Sequence, residues 1–133
     1  MKDALKRLGK EGIAVSSAGV RAIDGFRPTR ETIEAMKLEG VDVSGLHSRA
    51  LTEEMIRETD LMLVMATHHM DEIIRRLPEA ASKTHMLRQY GHRDDSAACE
   101  DLDISDPIGN SVEVYERTLS EIKREINRIA KDL

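Results

Sequence analysis

An aspartate followed by a proline is the first candidate for chemistry in this chain, within residues 103–110, DISDPIGN. Proline fixes its own φ and pushes the preceding residue toward an extended conformation. The side chain of Asp106 would therefore be held at a defined angle in a loop before a helix, which is the fixed placement that a general acid needs. The alternative is a D-P-x-G turn with no chemical role, because these residue types form turns well on their own.

The histidines and the other acidic residues lack the spacing of a metal site. His68 and His69 are adjacent, so on a helix their side chains point in different directions. The acidic residues at positions 94–103 do not follow the D-x-[DN]-x-[DN]-G pattern of a calcium loop. We expect no metal site, a solvated acidic loop over residues 91–105, and His69 as an N-terminal helix residue that contacts neighbouring loops.

The single cysteine, Cys99, is interpreted as non-catalytic. Its neighbours Glu100 and Asp101 disfavour the thiolate, and no glycine-rich anion loop surrounds it. One cysteine also rules out an internal disulfide and fits a reducing compartment.

Composition narrows the class of protein. The 133 residues are the size of one domain, and 40% of them are hydrophobic, which is enough for one core. With two Tyr, one Phe, no Trp and a net charge of −5, the chain does not fit nucleic-acid binding through stacking or phosphate contacts. The longest apolar run, residues 61–66, is far short of the ~20 residues of a membrane helix, and the N-terminus has no apolar signal core. We expect a soluble, cytoplasmic protein.

Apolar spacing and capping residues predict alternating helices and strands. The predicted elements are a short helix that Gly9 or Gly12 ends, a strand over residues 13–17, a helix from the N-cap Thr29 to about residue 39 that Gly40 stops, a short helix opening at Thr52, a strand over 60–65, a helix over 69–77 closed by Pro78, a weaker strand over 83–87, and a long helix from Asn110 or Ser111 to Leu133. The unbroken apolar run in the 60–65 strand favours burial on both faces, as in a parallel sheet. The order predicts a layered α/β domain, with an opening helix whose preceding strand is missing.

Five stretches in this order carry a family resemblance: VSSAGV, a proline-containing loop and helix, HSRALTEE, DLMLVMATHH and DPIGNSVEVYERT. Together they resemble the low-molecular-weight protein tyrosine phosphatases, and within them the bacterial branch that includes protein-arginine phosphatases. Five motifs in register over ~120 residues indicate a family far more strongly than one motif does.

The resemblance implies a three-layer α/β sandwich with a central parallel sheet, as one domain over residues 1–133. It implies a reaction without metal or cofactor, in which a cysteine thiolate of a C-x(5)-R loop takes the phosphoryl group. An aspartate of the D-P loop protonates the leaving group and then activates water; that aspartate corresponds to Asp106. Ser17 would support the phosphate loop, and the loop over residues 20–28 would form a wall of the cleft, with Ile23 and Ile108 as wall residues.

The chain departs from the family pattern in two places. The family's first central strand and its C-x-G-N-x-C-R-S-P loop would precede the helix that here begins at Met1, so the chain is N-terminally truncated relative to the family and is expected to be inactive alone. The family histidine six residues before the threonine of L-T-E corresponds to Leu46, and His47 stands one place later, where it would support the phosphate loop after a one-residue shift. Ile108 and Gly109 stand where eukaryotic members carry tyrosines, which favours the bacterial branch.

Several interpretations stay open from the sequence. The chain is a phosphatase whose N-terminal segment is missing, a non-catalytic relic that binds or regulates, or a chain whose missing strand a partner donates. An arsenate reductase of this fold needs two further cysteines, so that alternative fits poorly. A missing central strand would leave sheet edges that an oligomer or strand exchange could cover. The substrate is a phosphorylated protein, at tyrosine or arginine, or a small phosphate ester.

Overall fold

The computed structural model describes residues 1–92 and 102–133. Our predictions for Cys99 and for most of the acidic loop lie outside the described residues. In chain order the elements are α1 Lys2–Arg7, α2 Arg30–Leu38, α3 Glu53–Glu58, β1 Met62–Val64, α4 Thr67–Arg76, a 3-10 helix Pro78–Lys83, β2 Thr84–Met86 and α5 Val112–Asp132. None of the helices in these two stretches combines the length and the apolar character that crossing a bilayer requires.

Two predicted helix starts are confirmed by their capping bonds. The hydroxyl of Thr29 accepts a hydrogen bond from the backbone N–H of Thr32, and that of Thr52 accepts one from the N–H of Met55. Each bond satisfies a first-turn N–H that has no partner within the helix. Helix α2 ends before Gly40, whose φ of +73° is readily adopted only by glycine.

Strands β1 and β2 pair in parallel, with Met62, Leu63 and Val64 opposite Thr84, His85 and Met86. Their side chains enter two different layers of the core. Val64 and Met86 pack against α3 and α4, in a cluster with the fully buried Ile56 and Ile73. Leu63, on the opposite face of β1, packs against Ile129 of α5. Both faces of β1 therefore pack against a core layer, as predicted, although Leu63 is only partly buried and Met65, one residue beyond the strand, is 39% exposed. The three-layer α/β class is confirmed.

The predicted strand over residues 13–17 is wrong. These residues have no regular secondary structure, and Ile13 is 39% exposed. Their β-branched side chains favour a strand, but a strand also needs a neighbour for its backbone groups, and among the described residues none pairs with them. The nearest pairing is a single parallel bridge between Gly19 and Ala50.

Other predicted boundaries differ by a few residues. Strand β1, Met62–Val64, is shorter than the predicted 60–65, and α4 begins two residues earlier than His69, at Thr67. Pro78 follows the end of α4 as predicted, but it also begins a 3-10 helix, because proline at a helix start loses no backbone bond.

Helix α4 is joined to two loops through Arg76. Its guanidinium donates hydrogen bonds to the carbonyl oxygens of Val20 and Leu51, and it forms an ion pair with Glu72 at 2.9 Å. Hydrogen bonds from Arg75 first, and then from Arg76, lower the pKa of Glu72 to about 2. The carboxylate therefore holds the arginine that connects α4 to both loops.

The Glu72→Gln variant should lose stability in a pH-dependent way. The folded-state pKa lies below the ordinary value of 4.5, so the stabilisation by Glu72 is present above pH 4.5 and is lost as pH falls toward about 2. Urea unfolding at several pH values should show wild type and variant differing most near neutral pH and converging in acid. A difference that stays constant down to about pH 2 would contradict this. Arg75, whose side chain is 71% exposed, offers a control. Arg75→Gln should lower the free energy of unfolding less than Arg76→Gln, which also removes the hydrogen bonds to the carbonyls of Val20 and Leu51.

Candidate active site

The carboxylate of Asp106 is held in a tight turn before α5. Its Oδ1 accepts a hydrogen bond from the backbone N–H of Ile108 at 3.0 Å, and the N–H of Asn110 donates to the carbonyl of Pro107 at 2.9 Å. Gly109 completes the turn with a φ of +80°. The turn that both sequence interpretations share is confirmed, and it leaves the carboxylate of Asp106 exposed. The role of Asp106 as a general acid stays a prediction.

The loop that carries Asp106 is attached to the carboxyl end of β1. The backbone N–H of Ile104 donates to the carbonyl of Met65 at 2.7 Å, one residue beyond the strand. The side chain of Ile104 is buried against Leu87 and Ile129. Asp106 therefore lies two residues from a core anchor, at the edge of the sheet where ligands of α/β proteins bind.

Asp103 joins the same loop to the first turn of α4. Its Oδ1 accepts hydrogen bonds from both the backbone N–H and the hydroxyl of Thr67, each at 2.8 Å. These bonds, the backbone one first, lower the pKa of Asp103 below its ordinary value. Sequence reasoning missed this contact by treating Asp103 as part of a solvated acidic run. The structure gives Asp103 the place of a cap, because Ala66 precedes α4 and an alanine side chain cannot cap a helix.

Arg88 binds the backbone of the loop from the other side. It donates to the carbonyl of Asp103 at 3.0 Å and forms an ion pair with Glu121 of α5 at 2.7 Å. The loop that carries Asp106 is therefore held to β1, α4 and α5 through two adjacent residues, Asp103 and Ile104.

His69 lies in the first turn of α4, within electrostatic reach of both carboxylates. Burial, and then the neighbouring His68, lower its pKa, while Asp103 and Asp106 act in the opposite direction. The His68 and His69 rings lie 4.2 Å apart, centre to centre. In the two described stretches, no group of three or more histidine, cysteine, aspartate or glutamate side chains could hold a metal ion.

Two loops bonded to each other carry exposed apolar side chains. The hydroxyl of Ser48 donates to the carbonyl of Ile23 and accepts from the N–H of Phe26. The carboxylate of Asp24 accepts from the N–H of Ala50 at 2.6 Å. On these loops Ile23 is 69% exposed and Phe26 62%. Proline and glycine in the sequence marked the 20–28 loop, but its bonds to the second loop could not be predicted.

The remaining predicted site residues occupy exposed positions. The carbonyl of Ser17 accepts two hydrogen bonds from Arg49, both at 3.2 Å, and the side chains of Ser17 and His47 are exposed. No hydrogen bond within the described residues joins either of them to Asp106. Ile108 is 67% exposed, beside Asp106 in the turn. The roles of Ser17 and His47 as support for a phosphate loop, and of Ile23 and Ile108 as cleft walls, stay predictions.

The fold is that of one family. The family model for low molecular weight phosphotyrosine protein phosphatase matches residues 1–133, and the chain belongs to that family.

Relatives and solved structures agree with this assignment. The chain is 34% identical over 122 residues to a protein-arginine-phosphatase of Geobacillus stearothermophilus, covering 92% of this chain and 78% of that protein. It is 32% identical to the probable low molecular weight protein-tyrosine-phosphatase EpsP of Ralstonia solanacearum, over 96% of this chain and 81% of that protein. The solved YwlE arginine phosphatase from Geobacillus stearothermophilus superimposes with a TM-score of 0.83 at 32% identity, over 97% of this chain and 79% of that one.

Proposed function

We propose that the chain forms most of a protein phosphatase that removes phosphate from tyrosine or arginine side chains, with Asp106 as its general acid and base. A cysteine thiolate attacks phosphorus, the bond from phosphorus to the leaving oxygen or nitrogen breaks, and Asp106 gives that atom its proton. The Asp106 carboxylate then takes a proton from water as the water attacks phosphorus, which breaks the P–S bond and releases phosphate. The supporting observation is the exposed, turn-held carboxylate of Asp106 at the carboxyl edge of the sheet.

The nucleophile of this reaction is outside the 133 residues. Cys99 is the single cysteine, and the residue six positions later is Ser105, so the sequence contains no C-x(5)-R motif. A phosphate loop supplies both the thiolate and the N–H donors that stabilise the transferring phosphoryl group. We therefore propose that these residues alone do not hydrolyse phosphate esters. A thiolate nucleophile needs a reducing compartment, which supports a cytoplasmic location.

The apolar loops support a substrate with an apolar body. Ile23 and Phe26 project from one bonded pair of loops, and Ile108 projects from the turn that holds Asp106. Apolar side chains of this kind suit the ring of a phosphotyrosine and also the methylene stem of a phosphoarginine. The phosphorylated end of either substrate side chain would then lie at Asp106. We propose phosphorylated proteins as the substrates, in keeping with the names of the relatives.

The sheet supports completion by a further strand. Strand β1 pairs with β2, and no other strand in the described part of the chain pairs with it. An unpaired edge of apolar residues is a template for another strand. We propose that this edge accepts the strand that carries the phosphate loop, from a longer chain, a partner or a second copy.

A complementation assay tests the proposed function. Residues 1–133 should release no phosphate from phosphotyrosine or phosphoarginine peptides, whereas the same residues preceded by a strand and a C-x(5)-R-S loop of the family type should release it. Cysteine to serine replacement in the added loop is the control and should abolish release. Phosphate release by residues 1–133 alone would contradict the proposal. A folded but inactive extended chain would favour the alternative, a non-catalytic binding or regulatory protein.

A further inference from the structure

Asp103 is bonded through both its side chain and its backbone, three residues before the proposed acid. The carboxylate binds the N–H and the hydroxyl of Thr67, and the carbonyl accepts from Arg88. Three residues span at most about 11 Å of extended chain. Because only Ile104 and Ser105 separate the two aspartates, the anchor at Asp103 limits where Asp106 can lie.

Two other interactions restrict the segment of residues 103–106. The N–H of Ile104 binds the carbonyl of Met65, and the Ile104 side chain is buried, so this residue cannot rotate freely. Asp106 is held by its own turn with Ile108, which sets the carboxylate relative to the loop but not the loop relative to the sheet. Within residues 1–92 and 102–133, the contact between Asp103 and Thr67 joins the loop directly to the first turn of helix α4.

We propose that Asp103 is a positioning residue for the proton transfer: by binding the first turn of α4 it orients, relative to that helix, the loop that Ile104 attaches to the sheet and that carries Asp106. The inference rests on the proposed role of Asp106. Arg88 extends the same attachment to α5 through Glu121. A helix start favours a negative charge, so the ionised carboxylate of Asp103 suits this place better than an amide would.

A first experiment measures the attachment without any activity. Amide hydrogen exchange by NMR on residues 1–133 should show the Thr67 N–H exchanging about 10- to 100-fold faster in Asp103→Asn, because a hydrogen bond to a charged acceptor is weakened. Asp71→Asn is the matched control, since Asp71 is an exposed acid of the same helix, and it should leave the Thr67 N–H unchanged. Unchanged exchange of the Thr67 N–H in Asp103→Asn would overturn the proposal.

A second experiment measures proton donation in the chain completed by the C-x(5)-R loop. Asp103→Asn should lower kcat/KM for phenyl phosphate, which reports the step that expels the leaving group, by about 10- to 100-fold through misplacement of Asp106. For a dinitrophenyl phosphate, whose leaving group needs little protonation, the loss should stay under about threefold. Equal losses on both substrates would mean a general structural role and would overturn the proposal.

A third variant keeps the proposal testable if the Asp103→Asn chain does not fold. Thr67→Val removes the hydroxyl that donates to Asp103 but keeps the backbone N–H, so it should show the same preference for the better leaving group, to a smaller extent. Should the completed wild-type chain cleave neither ester, the proposed function fails, while the exchange measurement still decides whether Asp103 holds the loop to α4.

Discussion

Asp106→Asn in the chain completed by a C-x(5)-R loop is expected to lower phosphate release from a phosphotyrosine peptide by about 10²- to 10⁴-fold, the usual contribution of a general acid. The tyrosine oxygen leaves with a pKa of about 10 and therefore needs a proton in the transition state. Asparagine keeps an oxygen that can accept the N–H of Ile108, so the turn should persist while the proton is lost.

Steady-state kinetics on two esters measures this effect. The parameter to compare is kcat/KM, which reports formation of the phosphocysteine and not its later hydrolysis. The loss in kcat/KM should be much smaller for a dinitrophenyl ester, because that leaving group departs without protonation. Asp71→Asn, on the exposed side of α4, is the control for a change of net charge and should leave both rates unaltered. If Asp106→Asn retained full activity toward the phosphotyrosine peptide, Asp106 would not be the general acid.

The Ile129→Ala variant is expected to lose about 2–5 kcal/mol of unfolding free energy, as buried isoleucines do when they are replaced by alanine. Ile129 is 1% exposed, and it packs against Leu87 and Ile104, so the variant leaves a cavity beneath the loop that carries Asp106. Helix α5 has little freedom to collapse into that cavity, because the same helix also packs against α1 and α2.

Urea denaturation followed by circular dichroism gives the value, with Ile23→Ala as the matched control. Ile23 is 69% exposed, and the same change there should alter stability by less than about 0.5 kcal/mol. Similar losses in the two variants would show that the layer between β1 and α5 is not packed as described.

The sequence predicts the elements that local chemistry determines. Thr29 and Thr52 cap helices where their spacing to apolar residues indicated, and the predicted long helix from Asn110 or Ser111 is confirmed as α5, Val112–Asp132. Residues 13–17 show where local information ends, because β-branched residues describe a preference and the sheet decides whether a neighbour exists.

The candidate site also contains features that local sequence predicts and contacts between distant segments that it does not. The proline after Asp106 is a local signal, and the fixed turn follows from it. The bond from Thr67 to Asp103 spans 36 positions of the chain, and no spacing rule within one helix or turn contains it. The attachment of Arg76 to Val20 spans 56 positions and is equally invisible to such rules. Contacts of this kind follow from the packing of layers rather than from any one segment.

The bonds of Ser48 to the 20–28 loop have a consequence for the entropy of binding. A loop that must become ordered around its ligand loses conformational freedom at the moment of association, which weakens affinity. Here the carbonyl of Ile23, the N–H of Gly25 and the N–H of Phe26 are already bound to Ser48. That loss is incurred when the chain folds. The backbone that carries these exposed apolar side chains is therefore preorganised, and a ligand that reached them would not have to order it.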